Sequence, residues 1–411
     1  LRRAFTYAED NFMRGAATAL AQGRWALTAF YSRKGVDATV TEDGVIKAIY
    51  HTGLHRTDAE IARRNAATMT TAGTSVCYTD DRLRLTFNLL HLHWGGLRLL
   101  RAVGTRGIAS LTDLERFSLV SADYSYLFGQ GEAELFGEFA GAANGAVGTI
   151  NGLRYTHPVG GSYMLVGRYI PADYWSYYRG AFARYSRPGN EWGVMGRAAW
   201  ELPSAWTVRA FADYYGSFVP RFGRKEKTEA LYWMFEGEKR LSALSWSCRI
   251  RGTADKRYRR SLAVRLRGRY MFDERWRLMA SLQWSRSNSF DGQQQVWQAP
   301  TGGKSFALRA DYSGGKLLRV CSVDAVAFDT DSFADRLYEA VHNPRHHYSS
   351  AFFYGRGVRL GMFVRIAPLP HVEIESRTDH LLRRDTDTIG SAGELIRGQA
   401  RTHLLMTVRY R

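Results

Sequence analysis

From residue 259 to 287 the chain repeats with a period of two. Leu262, Val264, Leu266, Gly268, Tyr270 and Phe272 alternate with Ser261, Ala263, Arg265, Arg267, Arg269 and Met271, which predicts an extended strand with one apolar and one cationic face. After a turn over 272–275, the return arm sets Trp276, Leu278, Ala280, Leu282 and Trp284 against Arg275, Arg277, Ser281, Gln283 and Ser285. Slipping one residue would exchange the faces, so register is strongly specified. Each arm has about 13 residues, enough to cross a bilayer when tilted. Tyr270, Phe272 and Trp276 near the turn and Trp284 near the far end fit aromatic girdles. A soluble sandwich can show the same alternation, and what separates the two is repetition along the chain.

The pattern does repeat. Hairpins are predicted over 12–33, 71–92, 117–142, 146–170, 191–216, 228–251 and 304–328, and three further strands over 356–366, 371–382 and 400–411. Residues 36–50 read as a ragged extension or a long loop, and Glu238-Lys239-Arg240 as a charged turn. The rhythm breaks over 51–70, where Thr57 and Glu60 form a capping box ahead of Ile61, Ala62, Ala66 and Ala67, predicting a short helix at or inside a barrel mouth. Long loops are expected over 93–115, 171–190 and 329–350, the second rich in Tyr and Trp and read as an interfacial belt. Short turns on one side and long loops on the other are the topology of an outer-membrane barrel.

Composition sharpens this. In 411 residues, aromatics are 13% and Gly numbers 40 against 9 Pro, which favours many strands. No run of 18 apolar residues occurs, which excludes a helical membrane protein and leaves a barrel untouched. The formal net charge is +18, and only 8 of the 57 basic residues are Lys, a choice that reflects Arg-specific contacts or genomic bias. Glu132, Glu134 and Glu138 share one side of a strand; they are ruinous toward lipid and natural toward a wet lumen. The candidate lumen-facing residues are therefore Arg265, Arg267, Arg269, Arg277, Glu132, Glu134 and Glu138, with the Arg rows expected to neutralise the acidic ones. The chain opens without Met or a secretory leader, so it is expected to begin inside a longer protein.

Candidate chemistry is sparse. Cys77, Cys248 and Cys321 form no metal-binding spacing. Asp329, Asp331, Asp335 and Glu339 could hold calcium, but the run lacks an EF-hand pattern and Arg336 lies among them, so internal ion pairing is the preferred reading. His91 and His93 share a face, and the run His346-His347-Tyr348-Ser349-Ser350 invites comparison with a Ser/His lipid hydrolase. A nucleophile needs a base and an orienting third group, which the sequence does not display. No enzyme, cofactor or metal is expected.

Four segments, Asn11-Phe12-Met13-Arg14-Gly15-Ala16-Ala17, Thr52-Gly53-Leu54-His55-Arg56-Thr57, Ile150-Asn151-Gly152-Leu153 and Ala327-Phe328-Asp329-Thr330-Asp331-Ser332-Phe333, resemble the barrel portion of large Bacteroidota proteins of the helix-hairpin-helix or competence ComEA-like kind. That resemblance implies helical repeats ahead of the barrel, which are absent from these residues, so a DNA-binding role attached to the family would rest on residues outside them. It implies no catalytic residues.

The expectation is an all-β, transmembrane antiparallel β-barrel of about 18–20 or more strands in the intact protein, with residues 1–411 forming one barrel region in the cell outer membrane. It would serve transport, uptake or envelope assembly. The alternatives are a plugged scaffolding barrel and, last, an outer-membrane lipid hydrolase. Expected partners are outer-membrane lipid and envelope proteins, with DNA the remaining candidate.

Overall fold

A computed structural model describes residues 12–53, 55–99, 114–178, 182–185, 189–221, 224–256, 258–291, 296–345, 347, 349–390 and 395–410. Nineteen strands of eight or more residues occur among them, together with shorter ones and a five-residue helix. The chain divides into two compact units, 12–198 with 213–230, and 199–212 with 231–411.

In the first unit the strands pair antiparallel in chain order. Gly15–Gln22 joins Trp25–Val40, which joins Ala67–Thr79, and the series continues through Leu83–His93, Arg116–Phe128, Ala133–Ala142, Val147–His157 and Gly161–Ile170. In the second unit Leu244–Asp255, Arg259–Met271, Trp276–Asp291, Thr301–Ser313, Leu318–Thr330, Arg356–Leu369, Val372–Arg383 and Ala400–Tyr410 do the same. Consecutive antiparallel pairing of strands this long, with tight turns at one end and connections at the other that run from short (143–146, 256–258) to long (331–355), is the wall of a transmembrane β-barrel.

The two faces of that wall are inverted relative to a soluble protein. Leu262, Leu266, Leu278 and Leu282 are exposed, Leu266 at 46% and Leu282 at 51%, while Ser281, Gln283, Asp324, Arg359, Glu375 and Arg377 are buried on the opposite face. In register, Leu266 stands opposite Leu282, and Leu282 opposite Phe306, which makes a continuous apolar band. A soluble sandwich would bury that band and hydrate the Arg, Ser and Asp residues. Lipid is the solvent that stabilises the observed arrangement.

Aromatic rings gather at the tight turns. In the first unit Trp25 packs on Tyr78, Tyr126 on Phe128 and Tyr155 on Tyr163. In the second, Trp206 meets Trp246, Tyr270 meets Phe272 and Trp276 meets Tyr312, at centroid distances of 4.8 to 5.0 Å. In each unit such rings at the tight turns form the amphipathic girdle expected at a membrane interface.

Three expectations need correction, and one open alternative is resolved. The helix is Asp58–Ala62 only; its Thr57/Glu60 capping box is present, but the backbone N–H of Ala66 bonds Arg63 and Ala67 opens a strand. Of the two readings of residues 36–50, the extension holds and the long loop does not. The second strand continues to Val40 and Val45–Tyr50 folds back on it, because Val36, Ala38 and Ile46 bury their side chains completely. Glu238, Lys239 and Arg240 end the strand Glu229–Arg240, held by Arg209 on Glu238 at 3.3 Å and Arg240 on Glu238 at 2.8 Å, so the turn falls on 241–243. The aromatic loop 171–190 is no belt: Tyr174, Trp175, Tyr177 and Tyr178 pack onto a buried cluster that includes Met69, Leu92, Trp94 and Phe117. Desolvation of Tyr174 raises its pKa, and the charge of Glu138 raises it further. Most of the predicted loop 93–115 lies outside the described residues.

Candidate functional site

The polar face of the second unit is crossed by a strap formed from the connection 331–355. It makes a 3-10 turn at Phe333–Asp335, a short strand Leu337–Glu339 and a return strand Ala351–Phe353, with Leu337 opposite Phe353. Phe353 lies against Val326 and Phe328, which fixes the base of the strap by apolar burial.

Polar contacts then tie the strap to the wall. Ser287 donates to Asp335 Oδ1 at 2.6 Å and Ser332 to Oδ2 at 2.6 Å. Arg259 donates to the Ala334 carbonyl at 2.9 Å, and Arg265 and Gln283 both donate to the Tyr338 carbonyl, at 2.6 and 3.1 Å. Glu339 accepts from Ser281 at 2.8 Å, pairs with Arg267 at 3.5 Å and accepts from Gln283. Further along, His342 meets Asp311 at 3.3 Å and lies over Phe363, while the Arg345 amide donates to Glu375 and Arg377 donates to Asn343 and Ser349. Burial pushes the Asp335 carboxyl pKa up. Hydrogen bonds from Ser287, Ser332 and Thr301, with the charge of Arg259, outweigh that and hold it below the usual Asp value.

A second buried charge cluster sits in the first unit. Arg168 contacts Glu191 at 2.5 Å and forks onto Asp213 at 2.8 and 3.2 Å, all three being buried. The Arg184 amide also donates to Glu191, and the Arg221 guanidinium lies 3.2 Å from the Tyr185 ring centroid. Every charge in this cluster finds an opposite one, so it reads as a structural brace.

The residues singled out from sequence fall as follows. Arg265 and Arg267 touch the strap. Arg269 and Arg277 lie on the same face nearer the turn and have no strap contact among the described residues. Glu134 pairs with Arg154 at 2.5 Å and accepts from Ser125, so its cation comes from the neighbouring strand. Glu138 is exposed and stands opposite Asp123, and Glu132 lies in the turn, its carbonyl accepting from Thr156. Asp329 pairs with Lys304 and Arg356, and no group of three metal-ligating side chains occurs among the described residues. His91 Nδ1 lies 2.9 Å from Ser118 Oγ and His93 is 3.3 Å from Glu115. No third group orients His91 among the described residues, and His346 and Tyr348 lie outside them. Sequence reasoning expected internal ion pairing for the run that holds Asp335 and Glu339, which the Glu339–Arg267 pair bears out, but not that these residues anchor a strap to the wall. The row Ser281, Gln283, Ser285, Ser287 was the available signal, since small polar residues beside an Arg row leave space for something to lie on them.

No protein-family model and no curated protein matches the sequence. Among solved structures the chain is similar to the FrpB iron transporter from Neisseria meningitidis in its apoprotein form, at 11% identity over 97% of this chain and 71% of that one, with a TM-score of 0.47. It is also similar to the copper transporter OprC, at 10% identity over 96% and 70% with a TM-score of 0.48. A BenF-like porin from Pseudomonas fluorescens Pf-5 is similar at 9% identity over 77% and 85%, with a TM-score of 0.39.

Proposed function

We propose that this chain is the wall of an outer-membrane transport or uptake barrel whose passage is restricted by the strap. The observation that carries this reading is the anchoring of Asp335, Tyr338 and Glu339 to Arg265, Arg267, Ser281, Gln283 and Ser287, which places a folded segment across the polar face. An exposed apolar band on one face and charged residues on the other suit a lipid-stable wall around a passage that selects by charge and width. Envelope proteins are the partners this reading admits. Kinship with helix-hairpin-helix barrels of Bacteroidota belongs to the proposal, supported by the four sequence segments quoted above.

The test is conductance in a planar bilayer. Residues 333–352 can be replaced by a short Gly-Ser linker, because at the base the Thr330 amide already donates to the Gly355 carbonyl and the Gly355 amide to the Thr330 hydroxyl. The intact chain should conduct weakly and the strap-less variant strongly. Equal, large conductance of both would defeat the strap as a restriction; negligible conductance of both would favour a scaffolding barrel.

A further inference from the structure

Beneath the strap, entirely within the second unit, lies a cavity of about 330 Å³. Arg249, Arg251, Arg259 and Arg265 line it from the wall, and Asp335 and Tyr338 from the strap. The volume is within the range of small-molecule sites. Arg249 and Arg265 stand directly opposite each other in register. Like charges in that position destabilise a sheet, so the pair needs a counter-charge.

The protein supplies only part of it. Arg249 pairs with Glu236, but Glu236 is shared with Arg209 at 2.8 Å. Arg265 spends its donors on the Gln283 side chain and the Tyr338 carbonyl, both neutral acceptors. Arg259 likewise bonds the Ser287 hydroxyl and the Ala334 carbonyl. The Arg251 side chain makes no hydrogen bond or ion pair among the described residues and is exposed, while its backbone stands opposite Ala263 in the sheet. Both oxygens of Asp335, the carboxylate lining the cavity, already accept from Ser287 and Ser332. Guanidinium groups such as Arg259 and Arg265, whose hydrogen bonds go to neutral acceptors rather than to carboxylate oxygens, are preorganised for oxyanions, which they bind through paired N–H donors.

We propose that this cavity binds small solutes carrying two or more phosphate or carboxylate groups. Arg251 and Arg265 lie diagonally across neighbouring strands, about 7–8 Å apart at the backbone, so they can grip separate anionic groups of one molecule. The inference deepens the transport reading by naming the class of solute, and rests on it only for the meaning of binding, not for binding itself.

Calorimetric titration of the full chain in detergent with inorganic pyrophosphate and with citrate, at about 50 and about 200 mM salt, tests the site. Saturable binding that weakens with salt is expected, the stronger of the two probes distinguishing phosphate from carboxylate preference. Arg251→Gln should weaken it about tenfold or more, whereas Arg277→Gln, on the same face outside the cavity, should leave it unchanged. Because Arg251 holds no other part of the protein, its replacement removes charge without loosening the strap. Absence of saturable binding, equal loss in both variants, or equal binding of glucose would overturn the proposal. Binding that persists while strap removal leaves conductance unchanged would keep the site and defeat the restriction instead.

Discussion

Single residues report the two solvents of this wall. Leu266 lies mid-strand in the apolar band, so Leu266→Arg should cost about 2–4 kcal/mol if read by reversible unfolding in lipid vesicles. Arg267→Leu, on the opposite face, should instead leave Glu339 buried without its cation. Finding the Leu266 substitution neutral would reverse the assignment of faces. Arg168 offers a contrasting case. Its guanidinium lies between Glu191 and Asp213 with all three out of water, so Arg168→Met takes the cation from buried Asp213, leaves Glu191 only the more distant Arg221 at 3.8 Å, and should cost about 3–5 kcal/mol. Replacing Arg168, Glu191 and Asp213 together by apolar residues of similar volume should restore part of that loss, because both carboxylates leave with the cation, while the Arg221 contact and the Arg184 amide bond to Glu191 are given up. The same unfolding measurement decides between them.

At the scale of elements, the strap is the segment whose attachment can be titrated. Asp335 has a lower pKa in the folded protein than in an unfolded chain. Its contribution is therefore fully present above the ordinary Asp value of about 4 and is lost as pH falls through the depressed folded value. Hydrogen exchange should show the amides of 332–339 losing protection below about pH 4 while strand 259–271 stays protected. Asp335→Asn should remove most of that pH dependence while leaving the Glu339 anchors in place. Simultaneous loss of protection in strap and strand would mean that the wall, not the strap, responds to acid. Of the elements themselves, the long strands were legible from the two-residue period. The extension of the second strand to Val40 was legible only as one of two readings, because Val36 and Ala38 cluster with Ile46, Met69 and Trp94, which are distant in sequence or fall in a stretch without alternation.

At the scale of the whole chain, the net charge of +18 is far from evenly compensated. Arg359 sits between Asp324 and Asp379, and Arg365 and Arg409 share Glu373, so many cations are already neutral in effect. Around the cavity, Arg251, Arg259 and Arg265 make no ion pair among the described residues, and only Arg249 has a carboxylate, on Glu236. A strap-less variant should accordingly prefer anions, read as a reversal potential in a salt gradient, and Arg251→Glu should shift that potential toward cations. An unchanged potential would mean that ions pass elsewhere.

The sequence by itself determined the strands, their approximate number and which side chains share a face, because a two-residue period is written in neighbouring positions and needs no partner to be read. Leu262 to Tyr270 and Leu278 to Trp284 declare their common face by alternation alone. Only the tertiary structure decided what covers the polar face and which charges meet. Glu339 reaches Arg267 across 72 positions and Arg259 reaches Ala334 across 75, and the aromatic loop turns inward because Trp94 and Phe117 await it. Such contacts depend on where a long connection lands once the strands are paired. No local pattern carries that information, since the Asp, Glu and Tyr residues of the strap would be equally at home in water.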